Sequence, residues 1–455
     1  MTKNTIVAIA TPIGSGGISI IRLSGESALK IADQMFLAPN DKKISELDPR
    51  VLNFGTVSTA KFKDICLCVY FKAPNSYTGE DVIEFQSHGG IKIAEGILNE
   101  CMLKGARLAE AGEFTKRAFL NGKTSLENAE GVVDMINAES EAELRAGYSL
   151  ISGKLNEKVK SIQKILTDTT AQVEVEIDYP EYDIKKATIT ELSDKLTNAI
   201  AQIEELVNTS QTGQIIKNGI NVVIIGSPNV GKSSLLNALL NSERAIVTEI
   251  AGTTRDTLQE SYVFKGVKVN IVDTAGIRNS QDSIEIIGIE RAKQALKQAD
   301  LALLVFDCSK PLEENDYNNI KLLKNHRKIV VINKNDIFIQ NTETIIRELE
   351  INETIIKISA LKKSGIELLK KAIYDAIIDN NVISSRLIIT NMRHINALNA
   401  SKDALTMAKQ ALNTNSMDCV ADDLRTAWQQ LGEITGEVYT DEILNAIFSK
   451  FCLGK

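Results

Sequence analysis

Eight residues at 226–233, GSPNVGKS, have the types and spacing to hold a polyphosphate. Glycines at both ends let successive backbone N–H groups turn inward, Lys232 reaches the outer phosphates, and the Ser233 hydroxyl can ligate Mg²⁺. Asn229, Val230, Gly231, Lys232, Ser233 and Ser234 are the candidate contacts, and the helix they lead into adds partial positive charge at its N-terminus. The surroundings are those the chemistry needs. The apolar run NVVII at 221–225 enters the loop as a strand, and SLLNALL at 234–240 leaves it as a helix.

A second motif narrows the ligand to a guanine nucleotide. The strand-like run KIVVI at 328–332 ends in Asn333, Lys334, Asn335 and Asp336, at the strand edge where open α/β sheets bind ligands. The Asp336 carboxylate can accept from the guanine N1–H and 2-amino group, a pair that adenine lacks, so ATP would leave the carboxylate unpaired. Ser359 and Ala360 follow a further strand, 355–358, and suit backbone support of the guanine O6.

Between these motifs lie the elements that sense the γ-phosphate. Asp273, Thr274, Ala275 and Gly276 close the strand 267–272; Asp273 suits water-mediated Mg²⁺ coordination and the Gly276 N–H suits the γ-phosphate. Upstream, the loop Thr248, Glu249, Ile250, Ala251, Gly252, Thr253 and Thr254 completes the expected nucleotide contacts, with Thr254 joining Ser233 on Mg²⁺. The pattern is a switch GTPase. Residue 277 is Ile, where a Gln would orient the attacking water. An apolar side chain cannot do so, and the transition-state charge calls for another cation.

These motifs need elements to position them. The 455 residues are enough for two to four domains, and 44% hydrophobic with 24% charged residues is ordinary for a globular protein. Residues 1 to about 120 alternate strand-like runs (5–10, 18–23, 65–71) with helix-like ones (27–36, 91–104), an α+β unit. Glycines 14, 16 and 17 fail the dinucleotide spacing and read as a tight turn. From about 124 to 215 the pattern changes to long amphipathic helices, as in Leu155, Val159, Ile162 and Leu166. An acidic stretch at 174–178 reads as a solvated face, ending at a helix break at Tyr179 and Pro180. Helical character returns at about 383–455, so the α/β part reads as an insertion in a helical domain.

The net charge of −7 and the absence of a Lys/Arg block argue against tight autonomous nucleic-acid binding. Six cysteines without C-x-x-C spacing, and three histidines, argue against a disulfide framework or a zinc site. No apolar run approaches a membrane span, and the first residues do not read as a signal peptide, so the expected compartment is the cytoplasm.

Further segments carry a resemblance. GTTRD at 252–256 occurs with DTAGIR at 273–278, the N-terminal part has NSYTGED at 75–81 and HGG at 88–90, and the chain ends FCLGK at 451–455. Together these resemble the MnmE (TrmE) family of tRNA modification GTPases, in the TrmE-Era-EngA-YihA-like class of P-loop GTPases. The family ending is Cys-Ile-Gly-Lys, and Leu453 is a conservative departure.

The resemblance implies an α/β and α+β multidomain fold: an N-terminal folate-binding and dimerising α+β domain (1–120), a discontinuous helical domain (121–215 and 381–455), and an inserted Ras-like P-loop G domain (216–380). It implies an activity shared with the flavoprotein MnmG (GidA), which carries FAD. That activity adds an aminomethyl or carboxymethylaminomethyl group to C5 of the wobble uridine of certain tRNAs. GTP hydrolysis is required, and the one-carbon unit comes from a tetrahydrofolate derivative. Folate binding falls on Arg22, Glu84, Lys123 and Lys455. Cys452 matches the family's terminal cysteine; a catalytic or positioning role and a buried thiol capping the last helix both remain open. K⁺ ligands map to Asn229, Thr248, Ile250 and Thr253, and Glu285 to the residue that orients the attacking water. Arg278 reads better as half of an ion pair than as a finger in cis. The resemblance also implies a homodimer whose G domains meet across their nucleotide faces.

The competing reading is a ribosome-assembly or RNA-chaperoning GTPase, which shares the nucleotide motifs. It would be expected to carry a basic KH-like module after the G domain. Here that region is helical and ends CLGK. A third reading, a regulatory switch with no chemistry of its own, is left to experiment.

Overall fold

The computed structural model describes residues 4–178, 188–240, 260–272, 295–337, 353–378, 387–414 and 416–455. The chain divides into two compact units, one drawing on 1–133, 150–187 and 414–455, the other on 134–149 and 188–413.

The first unit is built on a seven-stranded sheet in the order β3-β4-β5-β6-β2-β1-β7. Its strands are β1 Ile6–Ile9, β2 Ile18–Ser24, β3 Phe36–Leu37, β4 Asn53–Ser58, β5 Lys63–Phe71, β6 Val82–His88 and β7 Arg107–Leu108. Helices Ala28–Asp33 and Ile91–Leu103 cover one face. On β2 and β6 the alternation decides everything: Ile21, Leu23, Ile83 and Phe85 are fully buried in the core beneath those helices. Side chains on a strand point to opposite faces in turn, so Arg22 and Glu84 between them stand on the other face. The register sets them directly opposite each other. The sequence reading anticipated β1, β2, β5 and both helices but not β4 or β6. It also ran the first helix to residue 36, whereas Phe36 opens β3.

In the same unit the helix Lys154–Asp178 packs along Met417–Thr435. Leu155, Val159, Ile162, Leu166 and Val173 bury one stripe of the first, and Val420, Leu424 and Leu431 the facing stripe of the second. Spacing of three and four residues keeps each stripe on one side of its helix. Of the acidic stretch, Glu174 is partly exposed and pairs with Arg425 at 2.8 Å.

The second unit holds a six-stranded sheet in the order β13-β12-β11-β8-β10-β9. The ranges are β8 Ile220–Ile225, β9 Glu260–Phe264, β10 Val267–Val272, β11 Leu301–Asp307, β12 Lys328–Asn333 and β13 Ile355–Lys357. β9 is antiparallel to β10, and the other pairings are parallel. Every residue of β11 is buried, as expected of a strand covered on both faces. Two apolar cores, one on each face, confirm that covering. Strand order reverses at β8, the place where such sheets bind ligands. The helices Ile189–Asn208 and Met392–Asn413 pack together in this unit.

The chain entering the α/β part and the chain leaving it run side by side. Gln214 Nε2 donates to Thr390 O at 2.8 Å, and Ile389 N to Thr209 Oγ1 at 3.1 Å. A Cβ on Gly213 would lie 2.0 Å from Ile389 O, so only glycine permits this approach.

Candidate functional site

The phosphate loop follows β8 directly. Two of its glycines are required by contact: a Cβ on Gly226 would lie 2.4 Å from Val305 O, and one on Gly231 2.3 Å from Asn333 Nδ2. Gly231 (φ +96°) and Asn229 (φ +64°) both take the left-handed region, which turns the loop back on itself. Lys232 Nζ donates to Gly226 O at 2.7 Å and Ser227 O at 2.8 Å, spanning the loop. Ser233 and Ser234 are exposed on the first turn of the helix Lys232–Leu240.

The guanine motif is tied to this loop through one side chain. Asn333, 2% exposed, donates from Nδ2 to Val230 O at 2.8 Å and accepts at Oδ1 from Ala360 N at 3.0 Å. Three segments far apart in sequence are thereby fixed to one another. Lys334 Nζ donates to Asn229 O at 3.0 Å and to Asp307 Oδ2 at 2.5 Å. Burial alone would push the Asp307 carboxyl up, but Lys334 and the Ser309 hydroxyl and N–H outweigh it and hold it below the usual carboxylate range. The Ser359 hydroxyl likewise holds the Asp336 carboxyl down, so it stands ionised and ready to accept. Neither Asp307 nor the buried Asp316, which bonds Ser227, was singled out from sequence; Asp307's place at the C-terminal end of a buried strand was the available signal.

Of the expected nucleotide contacts, Asn229 to Ser234, Asn333, Lys334, Asp336, Ser359 and Ala360 gather at this end of the sheet. Thr248, Glu249, Ile250, Ala251, Gly252, Thr253, Thr254, Asp273, Thr274, Ala275, Gly276 and Glu285 lie outside the described residues. Among the described residues no group of three His, Cys, Asp or Glu side chains is placed to hold a metal. An exposed Ser233 hydroxyl beside a phosphate cradle fits Mg²⁺, which takes few protein ligands and leans on the phosphates themselves.

A second constellation lies on the first unit. Arg22 Nε donates to Glu84 Oε1 at 2.7 Å, and its Nη1 to Gly454 O at 3.2 Å. The guanidinium lies 5.6 Å from the Tyr77 ring centroid and 5.7 Å from that of Phe114. Lys455 is half-buried here; burial first, then Arg22, lower its ammonium, partly offset by Cys452. The loop that aims Tyr77 is pinned throughout. Ser24 Oγ meets Thr78 Oγ1 and Glu80 Oε2 at 2.7 Å each, Arg117 pairs with Glu80 at 2.9 Å, and Tyr77 Oη meets Thr115 Oγ1 at 2.8 Å. Lys123 is exposed, its stem within 3.2 Å of a Cβ placed on Gly79 of the same loop. Arg22 thus joins Glu84 and the chain end that carries Lys455, while Lys123 sits against Gly79 of the same loop. The HGG segment is a packing device: a Cβ on Gly89 would lie 1.8 Å from Gly16 O.

Cys452 is exposed, which corrects the alternative of a buried thiol. It follows the helix Asp441–Phe448 and, with Leu453, lines a mostly apolar cavity of about 480 Å³ beside Ile9, Pro12, Ile91 and Leu98. Of the other free thiols, Cys66, Cys68, Cys101 and Cys308 are buried, and Cys419 is exposed. Burial pushes the Cys66 thiol up to about 12.

The tail is held by backbone geometry as well as by Arg22. Gly454 has φ +94°, and a Cβ there would lie 2.4 Å from Ile9 O. Gly454→Ala should detach the tail, at about 1–3 kcal/mol of local strain, with an on-the-order-of-tenfold or larger rise in its open population. Trypsin cleavage after the exposed Lys450, followed by mass spectrometry, measures this; an unchanged rate would show that the tail is held elsewhere.

A parallel sheet reversing at β8, a Gly-rich loop on a helix N-terminus and a guanine-reading Asp define the class: this is a P-loop GTPase that binds GTP and Mg²⁺. Family comparison goes further. A family described as "GTP-binding protein TrmE N-terminus" matches residues 5–123, and "MnmE helical domain" matches 126–452. The tRNA modification GTPase MnmE of Clostridioides difficile is 44% identical over 99% of this chain and 99% of its own length. That of Bacillus licheniformis is 41% identical over 99% and 100%. Among solved structures, Era in complex with MgGDPNP and a 16S ribosomal RNA segment is 32% identical, covering 41% of this chain and 67% of that one at a TM-score of 0.28.

The chain belongs to the tRNA modification GTPase MnmE family. A full-length match of this kind sets aside the ribosome-assembly reading. Among the described residues no helix is long and apolar enough to cross a membrane.

Proposed function

We propose that this chain hydrolyses GTP to drive modification of the wobble uridine of certain tRNAs, in the cytoplasm. It acts with the flavoprotein MnmG, which holds FAD, to add an aminomethyl or carboxymethylaminomethyl group at C5. A tetrahydrofolate derivative supplies the one-carbon unit. The observation that carries this reading is the pairing of Arg22 with Glu84 on one sheet face together with the hold of Arg22 on the Gly454 carbonyl, 432 positions away and next to Lys455.

The residues present fit a folate. Glu84 offers a carboxylate to the N–H edge of a pterin, and Lys455 and Lys123 offer cations to the anionic glutamate tail. Arg22 orients Glu84 and the chain end together. Cys452 stands exposed three residues before Lys455, open to the cavity where a positioning or covalent role would be exercised.

In the G domain, assigned to 216–380, Lys232 and the loop N–H groups would bind the phosphates, and Ser233 with Thr254 would hold Mg²⁺. K⁺ is assigned to Asn229, Thr248, Ile250 and Thr253, where it would supply positive charge beside the β- and γ-phosphates. Glu285 is assigned to orient the attacking water, the role that Ile277 cannot fill. The remaining domain assignments are 1–120 for folate and dimerisation, and 121–215 with 381–455 for the helical domain. A homodimer brings two G domains together across their nucleotides.

The test is mass spectrometry of wobble nucleosides in tRNA from cells whose only copy lacks Lys455 or carries Cys452→Ser. Loss of Lys455 should remove most of the modified nucleoside while the purified variant keeps its GTP hydrolysis. Unaltered nucleosides would overturn the role given to the tail.

A further inference from the structure

We propose that Asp316 is a positioning residue of the phosphate loop, acting through Ser227. The two side chains meet out of water: Ser227 is 6% exposed and Asp316 7%. Ser227 Oγ donates to Asp316 Oδ1 at 2.5 Å. The other carboxylate oxygen, Oδ2, accepts from Glu313 N at 3.0 Å and caps the helix Glu314–Leu322. One carboxylate therefore joins the second residue of the phosphate loop to the first turn of a helix 89 positions away.

Each other described anchor of the loop belongs to a nucleotide motif. Lys232 holds the Gly226 and Ser227 carbonyls, Lys334 holds Asn229 O, and Asn333 holds Val230 O. Asp316 lies outside those motifs, and charge alone does not favour a carboxyl group beside a polyphosphate site. A buried carboxylate in such a place is kept by what it bonds, and both of its oxygens are in use. What Asp316 fixes is the χ1 of Ser227, and through it the backbone that presents Gly226 and Ser227 carbonyls to Lys232. Loss of the pair frees that backbone and lets Lys232 settle away from the outer phosphates.

The experiment uses the full chain, a fluorescent GDP analogue and steady-state GTP hydrolysis. Ser227→Ala and Asp316→Ala should each weaken GDP and raise KM for GTP by roughly tenfold, the scale of a small misplacement, with a smaller change in kcat. The double variant should be no worse than either single one, because the two act as a unit. Asp316→Asn separates positioning from stability: its amide carbonyl still accepts from Ser227, while the helix cap is lost. It should keep nucleotide affinity within about threefold and lower the thermal midpoint. The proposal is overturned if Ser227→Ala binds GDP as the parent does, if the two single effects multiply in the double variant, or if affinity in Asp316→Asn falls in step with stability. Should Asp316→Ala fail to fold, Ser227→Ala and Asp316→Asn decide the matter between them.

Discussion

Asp336→Asn should weaken GTP binding by roughly 10²–10⁴-fold and create affinity for xanthosine triphosphate. The wild-type carboxylate accepts twice, from the guanine N1–H and the 2-amino group. An Asn carbonyl still accepts from N1–H, but its amide N–H then faces another N–H at C2. Xanthine carries a carbonyl at C2, so the same amide becomes a donor to it and the pairing is restored. The Ser359 hydroxyl holds Asp336 in its ionised form, so the wild-type preference should persist as pH falls well below neutrality. Titration of both nucleotides against the variant checks the exchange. GTP binding at parental strength in Asp336→Asn would show that base selection lies elsewhere.

Exchange of K⁺ for Na⁺ at constant ionic strength should lower GTP turnover by about 10²–10³-fold, part of the 10³–10⁵ that a transition-state cation supplies in related enzymes. The reason is what the switch lacks. Ile277 cannot orient water, and Asn229 stands in the phosphate loop with its carbonyl held by Lys334 and that of Val230 held by Asn333. On the proposed pairing of two G domains across their nucleotide faces, turnover should also rise with protein concentration. Equal rates in the two salts would remove the cation assignment while leaving the GTPase class untouched; concentration-independent turnover would remove the paired G domains.

The nucleotide site was legible because its groups come from short motifs at strand ends. A strand delivers its last residue to one sheet edge whatever the rest of the chain does, so GSPNVGKS and NKND could be placed without knowing the sheet order. The second constellation was not legible in that way. Glu84 lies on β6, whose alternation in VIEFQSH was available but was not read as a strand. The approach of Gly454 to Arg22 has no local signal, since it depends on the tail returning to lie against the backbone of Ile9, more than 400 positions away. Only the resemblance carried by NSYTGED and CLGK brought those residues together beforehand. Periodicity gave the buried stripe of Lys154–Asp178 but not its partner at Met417–Thr435, because a stripe records that a face is covered and not by what. Asp316 was hidden for a different reason: at the start of a helix an acidic residue is expected for the helix's own sake.

The contact of Gln214 with Thr390 and of Thr209 with Ile389 makes the catalytic layer a cassette whose two ends share one doorway. The entropy of closing such a gap grows only with the logarithm of the span between, about 0.6 kcal/mol for each doubling, so ends this close tolerate spans of different length. On the proposed reading of 216–380 as an inserted domain, a transplant here is a matter of matching one pair of neighbouring ends.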